Sequence, residues 1–247
     1  MQIRCVLEHN GSDTLLYAVD CPGAFARGKT PDEALAKLPQ DVRRFLLWRG
    51  EPLPDTVTPV VVQEKSSTLA IADADSDVLF DAERAPLPAD EYAALRDLCL
   101  RSAADFAVLY AGIPDPDRSV LPPRRTFYGD CPRTARQMLD HTQGVNAYYF
   151  GEIGINADNG GSFTACRARG FAALEQAASA AGLPSPENRV VTGSYDELWS
   201  LRKVLRRFLW HDRIHARAMW RMARRTFPEA ELPDPFFFGT SVDLPRG

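Results

Sequence analysis

Histidine is scarce in this chain: four residues in 247, against 33 Asp and Glu and 29 Lys and Arg. Cysteine is scarce too. Cys5, Cys21, Cys99, Cys131 and Cys166 are odd in number and never spaced C-x-x-C. That excludes a thiolate zinc site and a disulfide framework, and it predicts a reduced, cytoplasmic protein. No apolar run approaches the roughly 20 residues that span a bilayer. The opening MQIRCVLEHN interrupts its apolar letters with Arg4, Glu8 and His9, so no secretory signal is expected. A basic excess is missing as well. Formal net charge is −4; residues 1–88 carry nine Lys and Arg against 14 Asp and Glu, and residues 89–247 carry 20 against 19. Nucleic acid is therefore not the expected partner. What remains, 45% hydrophobic and 25% charged, is the composition of a soluble globular protein of one large or two ordinary domains.

The charge asymmetry suggests two pieces. In QIRCVLE (2–8), Ile3, Cys5 and Leu7 alternate with polar neighbours as in a half-buried strand. HNGSD (9–13) supplies a turn and TLLYAVD (14–20) the returning strand. Thr30, Pro31 and Glu33 then start a helix that runs to about Trp48, with Ala34, Leu38, Val42, Phe45 and Leu46 on one stripe. Pro39 is expected to kink or interrupt it. TVTPVVVQE (56–64) reads as a strand near a sheet edge, because of Pro59.

Residues 65–88 read as an acidic linker. Asp73, Asp75 and Asp77 imitate a calcium loop, but Val78 and Arg84 stand where that loop needs Gly and Glu. The second piece is helical. Residues 89–112 place Tyr92, Leu95, Leu98, Cys99, Phe106 and Leu109 on one face. A proline-rich connection leads to Asp130, expected to cap a helix from Cys131 to about Ile153. Ser162 opens a third helix ending near Gly182, and Ser194 the longest, stopped by Pro228. Four amphipathic helices predict a four-helix bundle, with the phenylalanine-rich tail packed across it.

His211 and His215 stand one turn apart on the apolar stripe of the last helix, with Phe208 and Met219 at neighbouring steps. At this spacing Cβ atoms lie roughly 5–6 Å apart, so two imidazoles can converge on one ion. His141 occupies the interior face of the second helix, beside Met138. Each alone fits ordinary packing; three buried imidazoles without partners would cost about 1–3 kcal/mol each, which a shared metal removes. His9, in a turn, is expected to be exposed. Asp212 has two readings, an orienting carboxylate behind a ligand or a surface partner for Arg213 or a neighbouring arginine. Tyr148 or Tyr149 is a candidate for the site mouth. Arg202, Arg206, Arg213, Arg217, Arg221 and Arg224 form a stripe expected to face solvent and to pair with acidic groups of the N-terminal piece.

Two family resemblances bear on these readings. PGAFARGKTPDEAL (22–35) and GEPLP (50–54) make residues 1–64 similar to the HicB-like domain, a small α/β module with a partial ribonuclease-H-like fold. No DNA-binding segment adjoins it, so the resemblance implies a docking or regulatory element. MLDHTQGVNAYYFGEI (138–153) and LRKVLRRFLWHDRIHARAM (201–219) make residues 89–247 resemble the DinB-like four-helix bundle superfamily, which includes bacterial thiol S-transferases and a mycothiol-dependent isomerase. The second resemblance implies that His141, His211 and His215 bind one divalent ion, zinc or nickel, with a position left open. The expected function is that of a metal-dependent transferase or hydrolase using an activated thiol or water. Its partner would be a small thiol or electrophile, and a homodimer is left open. The alternative is a non-enzymatic stress-response or interaction protein.

Overall fold

The computed structural model describes residues 1–242. The described chain divides into two compact units, one of Met1–Phe80 joined by residues 236–242, the other of Asp81–Pro235. It is a mixed α/β protein, a small sheet unit followed by a helical one, and no helix among the described residues is long and apolar enough to cross a membrane.

In the first unit, β1 (Gln2–His9), β2 (Thr14–Ala18) and β3 (Phe25–Gly28) form an antiparallel meander. The Asn10 side chain accepts the N–H groups of Ser12 and Asp13 and so holds the first turn. The short β3 lies inside a stretch whose sequence carries only turn signals. Helix α1 (Pro31–Arg49) starts where Thr30 accepts the Glu33 N–H, and it ends at left-handed Gly50. It runs through Pro39 without interruption. The five apolar residues of its stripe are all buried, and this tertiary burial outweighs the hydrogen bond that proline removes. Strand β4 (Thr58–Ser66) returns parallel to β1, giving the order β3-β2-β1-β4 with β4 at an edge.

Two expectations fail here. β1 is not half-buried: Val6, Leu7 and Glu8 are all covered. The missing cover comes from the stretch expected to be a linker, where Val78 and Phe80 are buried and Phe80 meets Tyr17 at 5.5 Å. The phenylalanines of the tail belong with the first unit. Phe236 stacks on Trp48 of α1 with centroids 5.9 Å apart, Phe238 stacks on Phe236, and the carbonyl of Val242 accepts from Arg43. Aromatic area on α1 is what holds it there.

The second unit contains α2 (Ala89–Ala111), the hairpin β5 (Arg125–Thr126) and β6 (Gly129–Asp130), α3 (Ala135–Gly151) and α4 (Phe163–Ala180). A second hairpin, β7 (Val191–Thr192) and β8 (Leu198–Trp199), precedes α5 (Leu201–Thr226). Helices α4 and α5 each pack against both α2 and α3. Phe106, Phe150, Phe163, Phe171 and Phe208 meet in their shared core. Helix α3 starts four residues later than expected. Thr134 and Gln137 form a reciprocal capping box, which satisfies two helix-end donors, and Asp130 is left to pair in β6. Helix α5 likewise starts at Ser200, whose hydroxyl accepts the Lys203 N–H, while Ser194 sits in the β7–β8 turn.

The arginine stripe is only partly a solvent face. Arg202 binds Glu91 through both guanidinium nitrogens, Arg206 is buried against Glu83, and Arg213 is fully buried. Arg202 and Arg206 therefore have these partners inside the helical unit. Glu83 and Glu91 lie at the start of this unit, where α5 can reach them.

Candidate metal centre

The capping box of α3 and the serine cap of α5 set the phase of two packed helices. His141 then faces His211 and His215. One nitrogen from each ring lies within 4.8 Å of the other two. Ring centroids are 4.6 Å apart for His141 and His215, 5.2 Å for His141 and His211, and 4.4 Å for His211 and His215. All three sequence-derived candidates are thus brought together. His9 is not among them; it ends β1 and meets Glu64 at 3.0 Å.

Burial is graded across the cluster. His211 is buried at 8% exposure, whereas His141 and His215 are half-buried. What exposure the cluster has is therefore at His141 and His215. Burial is the largest cause that lowers the pKa of each imidazole. Neighbouring imidazoles lower His211 and His215 further, His215 to about 3. All three rings are neutral near pH 7, which is the state that offers nitrogen lone pairs to a cation. His211 Nδ1 is buried with no hydrogen-bond partner, an arrangement that costs about 1–3 kcal/mol unless something else meets the lone pair or the proton.

Two carboxylates could have completed a closed shell, and both are committed elsewhere. Asp212 is fully buried and accepts from Arg167 at 3.1 and 3.2 Å, so it is not at the surface as one reading of the sequence had it, and its arginine partner is on α4. Glu152 accepts the Ser194 N–H at 2.7 Å, anchoring the β7–β8 turn to the end of α3. Among the described residues the cluster holds three histidines and no further metal-binding side chain.

Aromatic rings border the centre. Tyr149 is buried and sits edge-on to His211, with centroids 6.0 Å apart. Tyr148, the other tyrosine candidate, is 38% exposed and meets Trp199 instead. Tyr128, which the sequence did not single out, stacks on His141 at 5.5 Å. Arg167 was also missed. Its signal was present, since it is a lone arginine on the apolar stripe Phe163, Gly170, Phe171 and Leu174 of α4, all buried with it.

Comparison with protein-family models, with curated proteins and with solved structures finds no match to this chain.

Proposed function

We propose that the second unit is a DinB-like metal protein whose His141, His211 and His215 hold one divalent transition ion, zinc or nickel, in a reactive site. The observation that carries the reading is the convergence of three neutral imidazoles with no fourth ligand side chain in the cluster among the described residues. Three nitrogen ligands with a free position are the donor set of catalytic ions, whereas structural ones are closed by four. The partnerless nitrogen of His211 fits the same ion. A divalent ion there would lower the pKa of a bound thiol or water and so supply a nucleophile near neutral pH.

The chain's own residues do the positioning. Helices α3 and α5 present the imidazoles, Tyr149 holds the His211 ring from its edge, and the half-buried rings of His141 and His215 leave an approach for a small molecule. Transfer of a thiol to an electrophile, or hydrolysis, is the reaction class this supports. The resemblance of residues 138–153 and 201–219 to the DinB-like superfamily supports it as well. In the first unit, the order β3-β2-β1-β4 with β4 parallel to β1 supports a HicB-like module acting as a docking or regulatory element.

Metal analysis of protein purified without a histidine tag tests the reading. About one divalent ion per chain is expected, with a sharp loss in His215→Ala and none in His9→Ala. Full loading of His215→Ala would overturn it.

A further inference from the structure

The β5–β6 hairpin places two aromatic side chains where turn chemistry has no use for them. Thr126 pairs with Gly129, so Phe127 and Tyr128 form the tip. Tight hairpin tips favour Asn, Asp and Gly, which supply the backbone angles or local hydrogen bonds that closure needs. Here closure comes from elsewhere. Gly129 adopts φ 113°, and the Thr126 hydroxyl donates to the Gly129 carbonyl at 3.1 Å. Phe127 and Tyr128 keep negative φ values and are not required by the turn. Nor are they buried: Phe127 is 58% exposed and Tyr128 42%. Leaving two large apolar rings at a tip forgoes the roughly 1.5–3 kcal/mol that burying such a side chain brings.

Their location is specific. Tyr128 stacks on His141 at 5.5 Å with planes 29° apart, and Phe127 meets Tyr128 edge-on at 5.0 Å. His141 is one of the two half-buried histidines of the cluster. An exposed aromatic pair therefore stands on the open side of the centre, while Tyr149 closes the buried side. A side chain present only to support His141 would be buried against it, as Tyr149 is against His211. A local rule broken beside a functional centre points to a ligand contact.

From this we infer that Phe127 and Tyr128 form an apolar subsite for a flat, aromatic part of the small molecule that binds at the His141–His211–His215 centre. The inference rests on the reading of that centre as an open metal site. It makes the ligand a compound with a metal-seeking atom and an aromatic ring a few bonds away. The hairpin determines specificity; it does not take part in bond making.

Two thiols of similar acidity, 2-phenylethanethiol and ethanethiol, test this on the cobalt-substituted full-length protein, read by the thiolate charge-transfer absorption. 2-Phenylethanethiol is expected to bind roughly tenfold tighter, the gain of one good aromatic contact. Phe127→Ala, and Phe127→Ala combined with Tyr128→Ala, should erase that preference. Ethanethiol affinity and cobalt content should be unchanged in Phe127→Ala. Equal affinities in the parent protein, or a preference that survives in the variants, would overturn the inference while leaving the open site standing. Loaded protein whose spectrum answers to neither thiol would instead overturn the open-site reading, and the subsite with it.

Discussion

Arg167 of α4 and Asp212 of α5 form a two-pronged ion pair with both side chains fully buried, one residue from His211. The guanidinium also donates to Asn146 of α3 at 3.1 Å and lies 3.8 Å above the Phe208 ring. Three helices are thereby fixed in register beneath the histidines. Burying two charges is costly, so such a pair adds little over an apolar replacement, but losing one partner leaves an uncompensated charge. Arg167→Ala and Asp212→Ala should each lower stability by about 3–5 kcal/mol in urea unfolding. Arg167→Met together with Asp212→Leu should recover most of that loss. Single variants within about 1 kcal/mol of the parent would mean that water reaches the pair.

The histidine cluster makes the metal-free protein acid-sensitive. Burial holds His211 and His215 below their ordinary pKa, His215 at about 3. Between pH 6.5 and that value the unfolded chain binds protons that the folded chain refuses, so stability is complete above about pH 6.5 and falls as pH drops. From pH 6.5 to 5 one such histidine removes on the order of 2 kcal/mol. Urea midpoints of metal-free protein should fall over this interval, and less steeply in His215→Leu. A flat profile in the parent would show that the rings accept protons in the folded state.

Glu8 has the opposite sign. It is fully buried on β1, and its Oε2 accepts the Ser76 hydroxyl. Burial raises its pKa to about 7, nearby Asp77 adds to the rise, and Ser76 and Lys65 oppose it. A carboxyl raised in the folded state contributes fully below its ordinary pKa, and the contribution is lost as pH rises through 7. Glu8→Gln keeps the neutral shape and should remove that loss, roughly 2–3 kcal/mol by pH 8. Differential unfolding of parent and variant at pH 5 and pH 8 checks it; parallel profiles would place Glu8 in contact with water.

Periodicity carried most of the helices and the histidine pair, because apolar stripes at helical spacing are the direct imprint of a core. His211, Phe208 and Met219 share a face in the sequence and in the structure. What escaped was decided by competition among local signals. Asp130 and Ser194 look like caps, yet Thr134 with Gln137 and Ser200 with Lys203 make the bonds. Strand β3 is four residues long, too short for alternation to register. Val78 and Phe80 sat among aspartates, so their burial against the sheet was masked by the charge around them. The partner of Asp212 lay 45 residues away, a separation that no local pattern encodes.

The last expectation concerns where the helical unit begins. Asp81–Pro88 lies within what the sequence assigns to a linker, but its residues are tied to α5 and the loop before it. Glu83 pairs with buried Arg206, the carbonyls of Glu83 and Ala85 accept from Asn188 at 2.8 and 2.7 Å, and Arg202 donates to the carbonyls of Ala85 and Pro86. A fragment of residues 81–235 keeps all of these and all three histidines, and it omits Phe236 and Phe238, which belong with the first unit. It should fold as a helical protein and take up metal as the full chain does, since about 155 residues can support a core. A fragment of residues 89–235 removes Glu83 and leaves the Arg206 guanidinium buried without its carboxylate. Its stability should be lower by about 3–5 kcal/mol. Circular dichroism, urea unfolding and metal content of the two fragments decide the matter. Equal stability would mean that Arg206 turns to solvent when Glu83 is gone, and an insoluble 81–235 fragment would make the sheet unit part of what keeps the helices folded.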